Sequence, residues 1–171
     1  MNRKIDLSES LEDYLEIILD LQNTHKVARS KDIAEKMGIQ RGSVTGMLKN
    51  LAKKGLINYE PYGFITLTRE GKKIAQEITR RHAIIKDFLF RVLQIKNEKA
   101  DAIACRMEHA MDRPSVNMLV KFTDFIDNCP RAGADWIEAF VNFCSTEKPD
   151  RKKCKNCLEQ CMTHYNSLLS G

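Results

Sequence analysis

Long apolar runs are missing from this sequence. No stretch of its 171 residues approaches the roughly 18 consecutive apolar residues that are needed to cross a bilayer. The first residues include Arg3 and Lys4 but no apolar segment of the kind found in a secretion signal. We therefore expect a cytoplasmic protein with no membrane partner.

Internal repeats and low-complexity tracts are also absent. Hydrophobic residues make up 43% of the chain and charged residues 30%, which is typical of a folded globular protein and argues against a disordered one. The length allows one ordinary domain or two small ones.

Acidic residues are scarce in one segment. Residues 26–73 contain eleven Lys and Arg against four acids, a net charge of +7, whereas residues 1–25 sum to −4 and the remainder to +2. A basic block within one compact segment is what a phosphate-binding surface requires. A merely solvated charged face is the alternative interpretation.

The first 55 residues predict three helices. Leu11, Leu15 and Ile18 belong to an apolar stripe with helical spacing over residues 10–22. A short second helix is bounded by Ser30 and Gly38, a predicted N-cap and a predicted C-terminal glycine. A third helix runs from residue 43 to residue 55, and two short helices joined by a tight turn predict a helix-turn-helix.

A small hairpin follows the third helix. Residues 56–60 and 64–67 read as strands, with a Pro61-Tyr62-Gly63 turn between them. The predicted fold class is therefore mainly α, with an N-terminal winged helix-turn-helix and a two-stranded wing over residues 1–73. A recognition helix presents polar side chains to the major groove. The predicted DNA-binding residues are Arg29, Ser30, Gln40, Arg41, Gly42, Ser43, Thr45, Lys49 and Tyr62.

The rest of the chain is predicted to be helical. Helices are expected over about residues 69–92, with Thr68 as the predicted N-cap, over residues 97–111 and over residues 136–143. Another helix is expected to open near Pro114, with Leu119, Phe122 and Ile126 on its inner face.

Possible metal ligands cluster on the helix over residues 97–111. Cys105, Glu108 and His109 have i, i+3, i+4 spacing and project from one face. A thiolate, a carboxylate and an imidazole at one point can hold a first-row divalent metal. His82 can add a nitrogen, and Asp13 and Glu16 can add oxygens. Taken singly, each of these residues is more often a structural or solvated side chain.

The chain resembles the family of the diphtheria toxin repressor and the manganese transport regulator over about residues 6–127. The resemblance is carried by the strings Glu12-Asp13-Tyr14-Leu15, Asp32-Ile33-Ala34, Ser43-Val44-Thr45, Leu67-Thr68, Gly71-Lys72-Lys73, Arg81-His82 and Cys105-Arg106-Met107-Glu108-His109-Ala110-Met111. It implies an all-helical, metal-binding dimerisation domain over residues 74–128. It also implies that the chain lacks the SH3-like third domain of the longer members.

The resemblance implies a regulatory metal site of mixed character. Its ligand positions fall on Asp13, Glu16, His82, Cys105, Glu108 and His109. The first two are similar to the manganese branch, and Cys105 is similar to the iron branch. An acid that the iron branch uses at an ancillary site is replaced by Lys86. Because a thiolate shifts preference away from Mn²⁺, we expect Fe²⁺ first and Mn²⁺ second.

The last 43 residues form a predicted cysteine-rich tail, residues 129–171. Cys144, Cys154, Cys157 and Cys161 could hold a structural Zn²⁺ or an iron–sulfur cluster, and the spacing does not separate the two. A set of free thiols is the alternative, and Cys129 is a possible fifth participant.

Together these features predict a homodimeric, metal-dependent repressor that binds double-stranded operator DNA of metal-uptake genes. We expect neither an enzyme nor a small organic substrate. Four other readings stay open at this point: a winged-helix regulator that senses redox state or an iron–sulfur cluster through its C-terminal cysteines, a metal-dependent hydrolase, a constitutive architectural DNA binder, and a winged helix used for protein contacts.

Overall fold

A computed structural model of the chain describes residues 7–61, 63–128 and 134–145, with a few further positions after residue 154. The elements are α1 Glu9–His25, α2 Ser30–Met37, α3 Arg41–Lys53, β1 Ile57–Asn58, β2 Thr66–Leu67, α4 Arg69–Asp87, α5 Asn97–Ala110, α6 Arg113–Asn128 and α7 Ala134–Ser145. Of the helices in this part of the chain, not one is both long and apolar enough to traverse a membrane. The fold is mainly α with a winged helix-turn-helix, as the sequence predicts.

The chain divides into two compact units. Residues 1–83 and 106–110 make the first unit, and residues 84–105 and 111–171 make the second. The first unit therefore contains the winged helix, the greater part of α4 and the last turn of α5.

Helix α1 forms the centre of the first unit. It buries the predicted apolar stripe, including Tyr14, Leu15 and Ile18, against α2 and α3. It extends to His25, three residues beyond the predicted end, and stops where Lys26 adopts a left-handed φ of 67°. The buried side chains of α1 thus form one apolar core with those of α2 and α3, which holds α1 against the helix-turn-helix.

The helix-turn-helix consists of α2 and α3. Gly38 ends α2 with a φ of +65°, which confirms its predicted role. Ser30 is the first residue of α2 rather than its N-cap, since Arg29 precedes the helix in an extended conformation and makes no side-chain capping bond. Val44, Leu48 and Leu51 are the buried residues of α3.

The wing is shorter than predicted. Strands β1 and β2 contain two residues each and pair antiparallel, with Ile57 opposite Leu67. Ile65 pairs instead with Ala28, in the loop before α2, through two backbone hydrogen bonds of 2.9 and 3.2 Å. The side-chain Oε1 of Gln22 accepts a hydrogen bond of 3.0 Å from the backbone N–H of Leu67. The C-terminal part of α1 therefore holds the second strand of the wing.

The start of α4 is in close contact with Gly55 and Leu56, the two residues that precede β1. Thr68 donates from its hydroxyl to the carbonyl of Gly55, and its oxygen accepts from the N–H of Gly71, which confirms Thr68 as the predicted cap. A Cβ on Gly71 would lie 1.9 Å from the carbonyl oxygen of Leu56. Only glycine fits at position 71, because the backbone of α4 there lies directly against the backbone of Leu56.

In the second unit, α4 continues through a π-helical turn, residues 88–92, which packs against α6. Arg91 in this turn binds Asp127 of α6 at 2.5 Å. Ile126 is buried as predicted, but Phe122 is 42% exposed and meets the ring of Phe88 edge-on at 6.0 Å. The buried face of α6 instead contains Val116 and Thr123, so the helix is rotated relative to the prediction.

Candidate metal centre and DNA-binding surface

Three acids of α1 lie outside its apolar stripe. Glu12, Asp13 and Glu16 are partly buried, whereas Leu11, Tyr14 and Leu15 are almost fully buried. In the first unit these acids meet residues from α4 and from the last turn of α5. Glu16 lies on the same side of α1 as each of the other two, because it follows Glu12 by four residues and Asp13 by three.

Glu16, His82 and Glu108 form one compact group. One ligand atom from each lies within 4.8 Å of the other two. Nδ1 of His82 is 2.8 Å from Oε2 of Glu108. Two carboxylates and an imidazole from three separate helices are a donor set that suits a divalent first-row metal.

Glu108 is the most unusual residue of this group. Its side chain is fully buried, and its Oε1 accepts no hydrogen bond from any of the residues that the structure describes. Burial, reinforced by the nearby charge of Glu16, raises the pKa of Glu108 to about 7. A buried carboxylate oxygen without a donor is costly unless a cation compensates it. The residues present therefore fit a metal ion.

His109 joins a second set of acids in the same unit. Its Nε2 lies 3.1 Å from Oδ1 of Asp13 and 3.5 Å from Oε1 of Glu108, and its Nδ1 lies 2.9 Å from Oε2 of Glu12. Burial lowers the pKa of His109, but the hydrogen bond to Glu12 and the charges of Asp13 and Glu108 outweigh it, so the pKa is raised above the ordinary value.

Cys105 precedes His109 by one turn of α5 and is exposed.

In the second unit, Lys86 binds Asp101 through an ion pair of 2.6 Å. The ammonium group of Lys86 therefore has an acidic partner on α5.

The predicted tail site falls mainly outside the described residues. Cys144 is exposed near the end of α7. Cys154, Cys157 and Cys161, like Cys129, lie outside the residues that the structure describes.

A basic cleft of about 660 Å³ lies between the helix-turn-helix and the wing. Its lining consists of Arg29, Ser30, Lys31, Arg41, Thr45, Lys49, Tyr59, Pro61, Gly63 and Phe64. The lining contains four cationic side chains and no acid. Such a cleft suits the phosphate backbone of a nucleic acid.

The structure gathers five of the predicted DNA-binding residues into this cleft. Gln40, Gly42 and Ser43 are exposed at the start of α3 but do not line it. Tyr62 lies outside the described residues. Sequence reasoning missed Phe64, whose ring lies under the guanidinium of Arg29 at 5.2 Å and is 57% exposed. No local signal pairs these two residues, which are 35 positions apart.

Two family models match this chain. Residues 6–65 match the family model described as the iron dependent repressor, N-terminal DNA binding domain. Residues 68–137 match the iron dependent repressor, metal binding and dimerisation domain. The two matches are separated only by residues 66 and 67, which form β2.

Individual relatives are similar over about 70% of the chain. An uncharacterized HTH-type transcriptional regulator of Methanocaldococcus jannaschii is 36% identical over 119 residues, which span 69% of this chain and 95% of the relative. The transcriptional regulator MntR of Escherichia coli is 38% identical over 121 residues, or 71% of this chain and 77% of MntR. The solved structure of the manganese regulator SloR superposes with a TM-score of 0.61 and 30% identity, covering 71% of this chain and 56% of SloR.

These matches are to transcriptional regulators and not to enzymes, which confirms that prediction. The chain belongs to the iron dependent repressor family of metal-dependent transcriptional repressors.

Proposed function

We propose that this protein is a cytoplasmic, homodimeric repressor that binds operator DNA of metal-uptake genes when Fe²⁺, or in second place Mn²⁺, is abundant. The observation that supports this most directly is the convergence of Glu16, His82 and Glu108, with the oxygen Oε1 of Glu108 buried and without a donor among the described residues. That arrangement needs a cation to be stable in its charged form.

In this proposal, Glu16, His82 and Glu108 hold one metal ion. Asp13 and His109 would serve the same regulatory centre, and Cys105, one helical turn before His109, would add a thiolate. When bound, the metal supplies positive charge that compensates these carboxylates.

The ligands come from different parts of the chain. Asp13 and Glu16 belong to α1, within the segment that matches the DNA-binding domain, whereas His82, Glu108 and His109 lie in the segment that matches the metal-binding and dimerisation domain. Neutralising the acids lets α1 pack against α4 and α5 without repulsion. Without that compensation α1 is held less firmly, and ordering it at the moment of DNA binding lowers the affinity.

The cleft then makes the DNA contacts. Lys31 and Lys49 suit phosphate oxygens, and Arg41, at the first position of α3, can read base edges. In a two-fold dimer, recognition helices about 34 Å apart fit successive major grooves. Gln40, Gly42 and Ser43 extend the same surface at the exposed start of α3.

The choice of metal rests on the ligand types. Two carboxylates and an imidazole suit Fe²⁺ and Mn²⁺ alike, and the thiol of Cys105 shifts the preference toward Fe²⁺. SloR, by its description a manganese regulator, is the reason to keep Mn²⁺ as the second choice.

One experiment tests the proposal. The protein is purified anaerobically and stripped with a chelator, and its affinity for candidate operator fragments from upstream of metal-uptake genes is measured with Fe²⁺, with Mn²⁺ and with chelator alone. We expect tight, sequence-selective binding only with metal, and a larger effect of Fe²⁺. Equal affinity with and without metal would overturn the proposal. A larger effect of Mn²⁺ would reverse the order of metals.

The C-terminal cysteines carry a separate, subordinate proposal. We propose that Cys144, Cys154, Cys157 and Cys161 bind Zn²⁺ or an iron–sulfur cluster, on the strength of their number and spacing. Metal analysis and a visible spectrum of the anaerobic protein distinguish the two. If metal-dependent DNA binding is lost in Cys154→Ser but kept in His109→Ala, the regulator senses through its tail rather than through the helical centre.

A further inference from the structure

Glu12 is placed differently from the other two acids of α1. Asp13 and Glu16 belong to the groups of side chains that can hold a metal, and Glu12 does not. Its Oε2 lies 2.9 Å from Nδ1 of His109 and accepts a hydrogen bond of 3.1 Å from the guanidinium of Arg81. Glu12 therefore contacts Nδ1 of His109, whereas Asp13 contacts Nε2, the other ring nitrogen.

We propose that Glu12 is a positioning residue, which fixes the tautomer and ring orientation of His109, and that Arg81 holds Glu12 in place. The proposal rests on the proposed function only in assuming that a metal binds at this centre. A neutral imidazole carries one N–H, and with Nδ1–H donated to Glu12 the lone pair of Nε2 faces Asp13 and Glu108. That is the nitrogen a metal needs.

The surroundings make this hydrogen bond effective. The side chains of Glu12, Arg81 and His109 are only 18%, 14% and 6% exposed, so water screens their interactions weakly. The guanidinium of Arg81, 3.1 Å from Oε2 of Glu12, fixes the carboxylate in one orientation. A carboxylate that accepts from the second ring nitrogen of a ligating histidine also raises the basicity of the metal-binding nitrogen.

Helix α4 supports both sides of the centre with consecutive residues. Arg81 reaches Glu12, behind His109, while the next residue, His82, reaches Glu108 in the ligand group. Because Arg81 and His82 are adjacent, the turn of α4 that supplies His82 also holds Glu12, and Glu12 in turn orients His109. The identity of the residue before His82 therefore matters to the metal site, although it is not a ligand.

The test uses Glu12→Ala and Glu12→Gln in the full chain, with Glu9→Gln as the matched control, since Glu9 is an exposed acid one turn earlier on α1. Mn²⁺ affinity is measured by competition with a chelator. We expect Glu12→Ala to weaken Mn²⁺ binding about 10- to 100-fold with unchanged stoichiometry. Glu12→Gln keeps an oxygen acceptor and should lose less, and Glu9→Gln should lose nothing.

A second readout separates positioning from a general loss of structure. Long-range ¹H–¹⁵N spectra of the metal-free protein, taken well above the pKa of His109, report which ring nitrogen carries the proton. We expect Nδ1–H in the natural protein and in Glu12→Gln, and Nε2–H in Glu12→Ala. If Glu12→Ala does not fold, Arg81→Met tests the same chain of contacts and should weaken Mn²⁺ binding in the same direction.

Either of two results overturns the proposal: Nε2–H as the neutral tautomer of the natural protein, or unchanged Mn²⁺ affinity in a folded Glu12→Ala. The tautomer measurement needs no metal and no DNA. The tautomer result therefore remains valid even if metal does not control DNA binding. Failure of the proposal for Glu12 can thus be distinguished from failure of the proposed function.

Discussion

Nδ1 of His82, on α4, lies 2.8 Å from Oε2 of Glu108, a fully buried carboxylate on α5 whose other oxygen has no donor within the described chain. The imidazole satisfies one oxygen and leaves the second toward Nε2 of His109, 3.5 Å away. This half-satisfied carboxylate is the basis of the first two predictions.

The stability of the metal-free protein should fall as pH rises from about 4.5 to about 7. The pKa of Glu108 is raised from 4.5 to about 7 in the folded chain, so the folded state holds a proton that the unfolded state releases in this window. The raised pKa of His109 acts in the same direction, since its stabilisation is lost as pH rises through that pKa. Urea unfolding in the presence of a chelator, at several pH values, measures the effect.

Glu108→Gln provides the control for that prediction, because an amide does not titrate. The free energy of unfolding of the natural protein minus that of the variant should decrease across the window. A difference that stays flat from pH 4.5 to 7 would contradict the assignment of the raised pKa to Glu108.

Metal binding should release protons near neutral pH. The metal-binding form of Glu108 is the carboxylate, so below about pH 7 a proton must leave before the site is charged. Apparent Mn²⁺ affinity should rise with pH, by at most tenfold per unit for each proton released, and level off once both Glu108 and His109 have lost their protons. Calorimetry in buffers of different ionisation enthalpy counts the protons, and Glu108→Gln should weaken binding by more than about 100-fold, beyond the loss typical of an outer partner.

Gly71→Ala should destabilise the winged helix. The new Cβ would lie 1.9 Å from the carbonyl oxygen of Leu56, and the backbone must move to relieve the clash. We expect a loss of about 3 kcal/mol, the upper range for overpacking. The matched control is Gly46→Ala in α3, where a Cβ meets nothing within 4 Å and should gain up to about 1 kcal/mol of helix stability. Thermal and urea unfolding compare the two, and equal effects would refute the argument.

Lys49→Ala should weaken DNA binding and reduce its dependence on salt. Lys49 lines the basic cleft, and each phosphate contact contributes about 0.9 to the slope of log affinity against log salt. The control is Lys53→Ala, an exposed lysine one turn further along α3 that does not line the cleft. Fluorescence anisotropy at several salt concentrations gives both slopes. A slope that changes for Lys53→Ala but not for Lys49→Ala would show that the DNA lies elsewhere.

Local patterns predict the helices of the winged helix but not the extent of its wing. Apolar spacing predicted α1, and Gly38 and Thr68 were recognised as end signals because capping depends on a few neighbouring residues. The lengths of the strands were overestimated, since Ile65 pairs with Ala28, and no periodicity within the hairpin reports a partner 37 residues away.

The candidate centre was predictable only in part. The spacing of Glu108 and His109 on α5 predicts ligands. The different roles of the acids of α1, however, depend on contacts between residues that are nearly 100 positions apart in the sequence. Neighbours such as Glu12 and Asp13 look equivalent in the sequence, and only the position of His109 between them separates their roles. The same holds for Phe64, whose contact with Arg29 is made in space and not along the chain.

Helix α1 carries Asp13 and, nine residues later, Gln22, which holds the N–H of Leu67 in the wing. Nine residues of α-helix span about 14 Å, and the buried face of α1 leaves it little freedom to bend. The same helix thus contributes a side chain to the candidate metal centre and, further along, holds the wing. Under the proposed function, a substitution that shifts α1 at the candidate centre would also shift the wing, so the preference for an ion and the preference for an operator are expected to be coupled.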